Sequence, residues 1–142
     1  MNKVIFHLAI PMIKMEETRD FYVNVLGVKV GRCNANAIIF DFFGSQLVAH
    51  TTKEVVAPAK SIYPRHFGIV FTEESDWDHL VSVCEDKQVS FYQSPRLRFQ
   101  DELTEHKTFF LQDPAYNILE FKFYRHHEAI FGASNMVAIG DR

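Results

Sequence analysis

The chain has 142 residues, 47% of them hydrophobic and 23% charged, with a formal net charge of −3 at pH 7. That is the size of one domain with a real core, and so mild an acidity gives no electrostatic case for nucleic acid or an anionic membrane as partner. Two isolated cysteines, Cys33 and Cys84, form no CxxC pair and argue against a cysteine zinc site or a disulfide scaffold.

The first residues, Met-Asn-Lys-Val-Ile-Phe-His, run into apolar alternation with no signal segment. No apolar stretch reaches the ~20 residues of a membrane span, so a cytoplasmic enzyme or binding protein is expected. Residues 3–11 alternate and stop at Pro11, as a strand does. Met15 to Leu26 places Thr18, Phe21, Tyr22 and Val25 at helical spacing, with acids in the first turn and Gly27 as a stop. Val28 to Cys33 predicts a short strand. Ala37 to Phe43 and Gln46 to Thr51 predict two more, joined at Gly44-Ser45. Thr52 to Pro64, with two prolines and mixed charge, reads as a connector.

The order then repeats. Arg65 to Thr72 predicts a strand, and Ser75 caps a helix with Trp77, Leu80, Val81 and Cys84 on one face. Val89 to Gln93 predicts a strand, and Ser94 to His106 a polar loop holding Arg96 and Arg98. Lys107 to Gln112 is apolar, Asp113-Pro114 turns, and Asn117 to Tyr124 is the last strand. The expectation is one domain over residues 1–125, module one 1–60 and module two 61–125, with a C-terminal tail, 126–142, carrying a short helix near Glu128 to Phe131. The fold class is α+β: two βαβββ modules forming a cupped mixed sheet around one metal-binding cleft.

Both first strands carry a histidine in the same place. Phe6-His7-Leu8-Ala9-Ile10 and Arg65-His66-Phe67-Gly68-Ile69 set His7 and His66 59 residues apart. Packed about a pseudo-two-fold axis, two such modules would turn these imidazoles toward each other. Glu120 interrupts the apolar run Asn117 to Phe121, and strand alternation puts Ile118, Glu120, Lys122 and Tyr124 on one face. An unpaired carboxylate there is costly, and a divalent metal is one partner for it. Two imidazoles and a carboxylate suit Fe(II), with Zn, Mn, Co or Ni as alternatives. Aromatic content of 14% fits either a sheet core of large rings or the walls of a pocket for a flat ligand.

These residues resemble the vicinal oxygen chelate, or glyoxalase/bleomycin resistance/dioxygenase, superfamily over roughly residues 3–124. The resemblance rests on Phe6-His7-Leu8-Ala9-Ile10-Pro11, on Arg19-Asp20-Phe21-Tyr22 followed by Leu26-Gly27, on His66-Phe67-Gly68-Ile69, and on Asp113-Pro114 followed by Asn117-Ile118-Leu119-Glu120-Phe121. Within it, Asp41-Phe42-Phe43-Gly44 with Gln46-Leu47-Val48-Ala49-His50 is similar to small predicted extradiol-type dioxygenases. The resemblance implies metal ligands at His7, His66 and Glu120. Val48 falls at the module-one counterpart of Glu120, where the isomerases carry a fourth ligand, so the three-ligand members fit better. It also implies an acid/base at His50, 16 residues before His66, where the larger extradiol enzymes carry a non-ligand histidine. Those enzymes have a tyrosine on the strand before the glutamate strand, where this chain reads Lys107-Thr108-Phe109-Phe110-Leu111.

The implied function is a metal-dependent dioxygenase acting on a small catechol-like or other chelating substrate, with Fe(2+) or else Mn(2+), Zn(2+) or Ni(2+). The alternatives are a glyoxalase-type isomerase or lyase on a non-redox metal, and a non-catalytic small-molecule-binding protein. Arg98, with Arg96, suits a substrate carboxylate, against the plainer reading of a solvated loop, and Tyr124 faces the cleft by parity. Lys122 shares that parity, though its stem can carry the amine to water. His79 and His106 are expected at the surface, and His126-His127 in the tail. A homodimer is expected, and the connector is long enough for modules to pair within or between chains.

Overall fold

The computed structural model describes residues 3–142. Module one contributes β1 (His7–Met12), β2 (Lys29–Cys33), β3 (Ala37–Phe42) and β4 (Ser45–Thr51). They form a mixed sheet in the order β1-β4-β3-β2, with β1 parallel to β4. Module two repeats the arrangement with β5 (Phe67–Phe71), β6 (Gln93–Arg98), β7 (His106–Gln112) and β8 (Ile118–Tyr124), ordered β5-β8-β7-β6. Each sheet therefore has its first strand at one edge, with His7 opening β1 and His66 just before β5. Two βαβββ modules in an α+β fold are what the sequence predicts.

The first helical segment departs from expectation in kind. It begins as α1 (Met15–Arg19) and continues as a π-helical run, Asp20–Val25, closed by Leu26 N–H donating to the Phe21 carbonyl at 3.2 Å. The wider turn seats Phe21 and Tyr22 in the core while Gly27, at φ 72°, ends the run. In module two, α2 (Glu74–Asp86) buries Trp77, Leu80 and Cys84, the stripe that helical spacing predicts. Ser75 lies inside its first turn rather than at its cap, which is Glu73.

The sixth strand also lies later than expected. Val89 and Phe91 are not a strand; they pack as loop residues against the core, and β6 runs instead from Gln93, the last residue of the expected strand, through Arg98 in the segment expected to be a loop. Periodicity hid it because β6 is an edge strand broken by Pro95, with a register shift between Gln93 and Arg96. A short helix, α3 (Glu128–Phe131), follows β8 as expected.

One core joins the modules. The inner faces of both sheets and both helices meet in a cluster running from Ile10, Tyr22 and Phe40 to Trp77, Phe109 and Phe121. Phe42 meets Phe67 at 5.8 Å, and the Tyr22 hydroxyl donates to Oδ2 of Asp113 at 2.7 Å across the module boundary. Most of the aromatic content thus serves the core, each ring contributing ~1.5–3 kcal/mol by burial. The outer faces of the two sheets are left to carry polar groups. Among the described residues no helix is long and apolar enough to cross a membrane.

Candidate metal centre

His66 stands one residue before β5, and its ring turns to Glu120 on β8, with Nε2 3.1 Å from Oε1. Its Nδ1 lies 2.7 Å from the carbonyl oxygen of Ile62, which is acceptor only, so Nδ1 carries a proton and donates it. Nε2 can then face a carboxylate in two ways: protonated, or with its lone pair on a cation that the carboxylate also binds. A backbone carbonyl on one ring nitrogen and a cation on the other is how metal-ligating histidines are oriented.

Glu120 is well supported. The Thr108 hydroxyl donates to its Oε2 at 2.6 Å, and Lys122 Nζ lies 3.8 Å from Oε1. Burial pushes the Glu120 carboxyl up, but the hydrogen bonds from His66 and Thr108 and the charge of Lys122 outweigh it and hold the group below its ordinary range. The hydrogen bond to Glu120 in turn raises His66 despite burial. An ionised carboxylate beside an oriented imidazole is a donor pair that fits a divalent cation.

The third expected ligand is elsewhere. His7 is exposed at the start of β1, its Nδ1 2.8 Å from Oε1 of Gln46. Among the described residues, no group of three or more His, Cys, Asp or Glu side chains is arranged to hold a metal. Within one chain the structure therefore brings His66 and Glu120 together and leaves His7 apart. The register carries the module equivalence: Ala9 pairs with Val48 as Gly68 pairs with Glu120. Val48 thus occupies the place of Glu120 in sheet one. His50 also lies on that outer face, exposed and opposite Pro11, because β4 turns Leu47 and Ala49 into the core and alternates Gln46, Val48 and His50 outward.

The outer face of sheet two is richer than the sequence suggests. Arg96 pairs with Thr108 and Thr108 with Lys122; Arg98 pairs with His106 and His106 with Tyr124. Directly opposed residues share a face, so both arginines, Tyr124 and Lys122 stand on the side of Glu120. Lys122 turns inward rather than to water, its Nζ 5.1 Å from the centre of the Tyr124 ring. Arg98, expected in a loop, is a strand residue with its side chain 14% exposed.

His106 corrects another expectation. It is buried rather than on the surface, between Phe99 at 5.9 Å and Tyr124 at 5.0 Å, with Nδ1 3.0 Å from the Thr104 carbonyl. Burial lowers its pKa below the ordinary 6.5, helped by the charges of Lys122 and Arg98. His106, Thr108 and Tyr63 are positions beside the candidate centre that sequence reasoning missed. Parity along β7 relative to Glu120 would have flagged the first two; Tyr63, in the connector, has no local signal.

His79, His126 and His127 are exposed. Phe110 and Tyr63 supply aromatic surface beside His66, their ring centres 5.3 and 6.4 Å from it. A cavity of about 590 Å³ is lined by Trp77, Arg96, Leu97, His106, Lys107 and Phe123 among others. Neither His66 nor Glu120 reaches it.

The model of the Glyoxalase/Bleomycin resistance protein/Dioxygenase superfamily matches residues 4–121. A solved glyoxalase/bleomycin resistance protein/dioxygenase from Alicyclobacillus acidocaldarius is 41% identical, with a TM-score of 0.84 over 90% of this chain and 96% of that one. A lactoylglutathione lyase from Agrobacterium tumefaciens is 18% identical, with a TM-score of 0.66 over 86% of this chain and 94% of its own. The fosfomycin resistance protein FosX from Listeria monocytogenes is 14% identical, with a TM-score of 0.67 over 91% and 99%. These last two share the fold. No curated protein matches the sequence.

Proposed function

Because the chain belongs to the glyoxalase/bleomycin resistance protein/dioxygenase superfamily, we propose that it is a metal-dependent enzyme for a small substrate with two adjacent oxygens. The observation that carries this reading is the His66–Glu120 contact, in which Nδ1–H donates to the Ile62 carbonyl and Nε2 is left directed at an ionised carboxylate. The ligands are His66 and Glu120 of one copy and His7 of a second. Two features support the shared site. Among the described residues β1 and β5 are edge strands, each with one side open, and the residues around β1 expose apolar surface, with Val4 88%, Ile5 73% and Phe6 66% exposed. An apolar open edge asks for a partner strand. Joining β1 of one copy to β5 of another would complete the cupped sheet and set His7 beside His66.

Two imidazoles and one carboxylate favour Fe(2+), with Mn(2+), Zn(2+) and Ni(2+) as alternatives; the chemistry supplied there is polarisation of vicinal oxygens and, for iron, reaction with dioxygen. Val48 in the place of Glu120 leaves three protein ligands and favours dioxygenation of a catechol-like substrate over isomerase or lyase chemistry. His50 lies on the same outer face as His7, so it would enter the shared cleft with it and move protons there. Tyr124 and Arg98 would orient the substrate, and Phe110 and Tyr63 would cover its apolar part. Two unpaired cysteines, one exposed and one buried, suit a reducing cytoplasm.

The test is complementation. His7→Ala and Glu120→Ala should each lose the cation, measured by elemental analysis of protein purified without oxygen. Co-expressed with different tags, the mixed dimer should hold about one cation per pair, because one of its two sites carries both substitutions and the other neither. A mixed dimer without metal would refute the shared site. Oxygen uptake over a panel of catechols then separates dioxygenase from isomerase chemistry.

A further inference from the structure

Beyond α3 the segment 132–142 returns over the outer face of sheet two, and it does so with little apolar anchorage: Val137 is 92% exposed and Ile139 81%. Its hold is polar and concentrated at three residues. Asp141 N–H donates to the Tyr63 hydroxyl at 2.8 Å, and Arg98 Nη2 donates to the Gly140 carbonyl at 3.0 Å. The Asp141 carboxylate receives Arg98 on Oδ1 and has Arg96 Nη2 3.8 Å from Oδ2. The Arg142 guanidinium lies 4.9 Å from the centre of the Tyr63 ring. Gly140 sits at φ 60°, where a Cβ would run into the Tyr63 hydroxyl, so this approach needs glycine.

Arg96 and Arg98 have no other carboxylate partner among the described residues. Both stand on the Glu120 face, and Arg98 is nearly enclosed, which calls for an anion. Tyr63 touches both places at once: its hydroxyl takes the Asp141 amide while its ring flanks His66. The anion held by the arginines therefore lies one tyrosine ring from the proposed metal ligand.

We propose that Arg96, Arg98 and Tyr63 form an anion subsite of this cleft, filled by the chain's own Asp141 until a substrate bearing a carboxylate displaces it. The inference deepens the proposed function and rests on it for the adjoining metal. Planar guanidinium forks match a carboxylate oxygen by oxygen, whereas Asp141 engages only one Arg98 nitrogen, shared with the Gly140 carbonyl, and has Arg96 at 3.8 Å. The occupant is replaceable: Asp141 is 48% exposed, and a segment with so little burial opens locally at small expense. A substrate gripped by both the arginines and the centre at His66 and Glu120 would outcompete it.

The test titrates benzoate, a carboxylate without vicinal oxygens, and inorganic phosphate into the full chain by calorimetry, with and without chelator. Asp141→Ala should tighten benzoate binding roughly tenfold, because an occupied subsite weakens an incoming ligand by the fraction of time it is free. The gain should vanish in Asp141→Ala/Arg98→Gln and return in part with Arg98→Lys; Arg96→Gln should weaken it, and thermal unfolding verifies that each variant is folded. Unchanged benzoate affinity in Asp141→Ala, a gain that survives loss of Arg98, or tighter phosphate than benzoate would each overturn the proposal. Because benzoate needs no metal, the subsite can stand if the cation reading falls, and the reverse.

Discussion

Gly68 lies so close to Glu120 across the β5–β8 pair that a Cβ on it would overlap the Glu120 carbonyl oxygen. The counterpart pair in module one, Ala9 and Val48, accommodates a Cβ. The tight approach thus belongs to the module that carries the carboxylate, and it draws the strand after His66 onto the strand of Glu120. Gly68→Ala should force the strands apart, lowering stability by ~1–3 kcal/mol and loosening the His66–Glu120 contact. Urea denaturation and cation content measure the two effects, and an unchanged midpoint would contradict the packing.

Thr108 is 1% exposed and gives its hydroxyl to Oε2 of Glu120. Thr108→Val keeps the shape and removes the donor, leaving a buried carboxylate oxygen short of a partner. Cation affinity should fall ~10–100-fold, as for other groups that orient a ligand, while Thr108→Ser retains it. Competition against a coloured chelator reads the difference.

Tyr22 and Asp113 join the modules by one buried hydrogen bond. Burial pushes the Asp113 carboxyl above its ordinary 3.8, partly offset by Asn117 and the Tyr22 hydroxyl. A raised carboxyl favours folding fully below its unfolded value, and this advantage is lost as pH rises through the folded value. Removing the phenol raises Asp113 further. Tyr22→Phe should therefore destabilise by ~1–3 kcal/mol at neutral pH and by less near pH 4. A penalty independent of pH would place the effect in packing instead.

His106 carries the opposite sign. Its pKa is lowered, chiefly by burial, so the folded state prefers the neutral ring. That contribution is present above the unfolded value of 6.5 and is lost as pH falls toward the folded value. In a series of thermal unfolding midpoints, His106→Gln should show a shallower decline below pH 6.5 than the parent protein. An identical acid limb would mean that His106 does not titrate there.

The duplicated strand order, the parity that sets Glu120, Lys122 and Tyr124 on one face, and the equivalence of Val48 with Glu120 were all legible in the residues, because each depends on local periodicity and internal repetition. The need of Glu120 for a partner was legible for the same reason: a carboxylate in an apolar strand declares it wherever the strand goes. Tertiary structure alone decided that Arg98 and His106 belong to strands and that Asp141 returns to the arginines. These are contacts between residues far apart in sequence, carried by an edge strand and a segment with no apolar repeat. It alone also separated His7 from His66 within the chain, since which strand edges meet depends on how two equally open sheets pack, and no spacing along the chain encodes that choice.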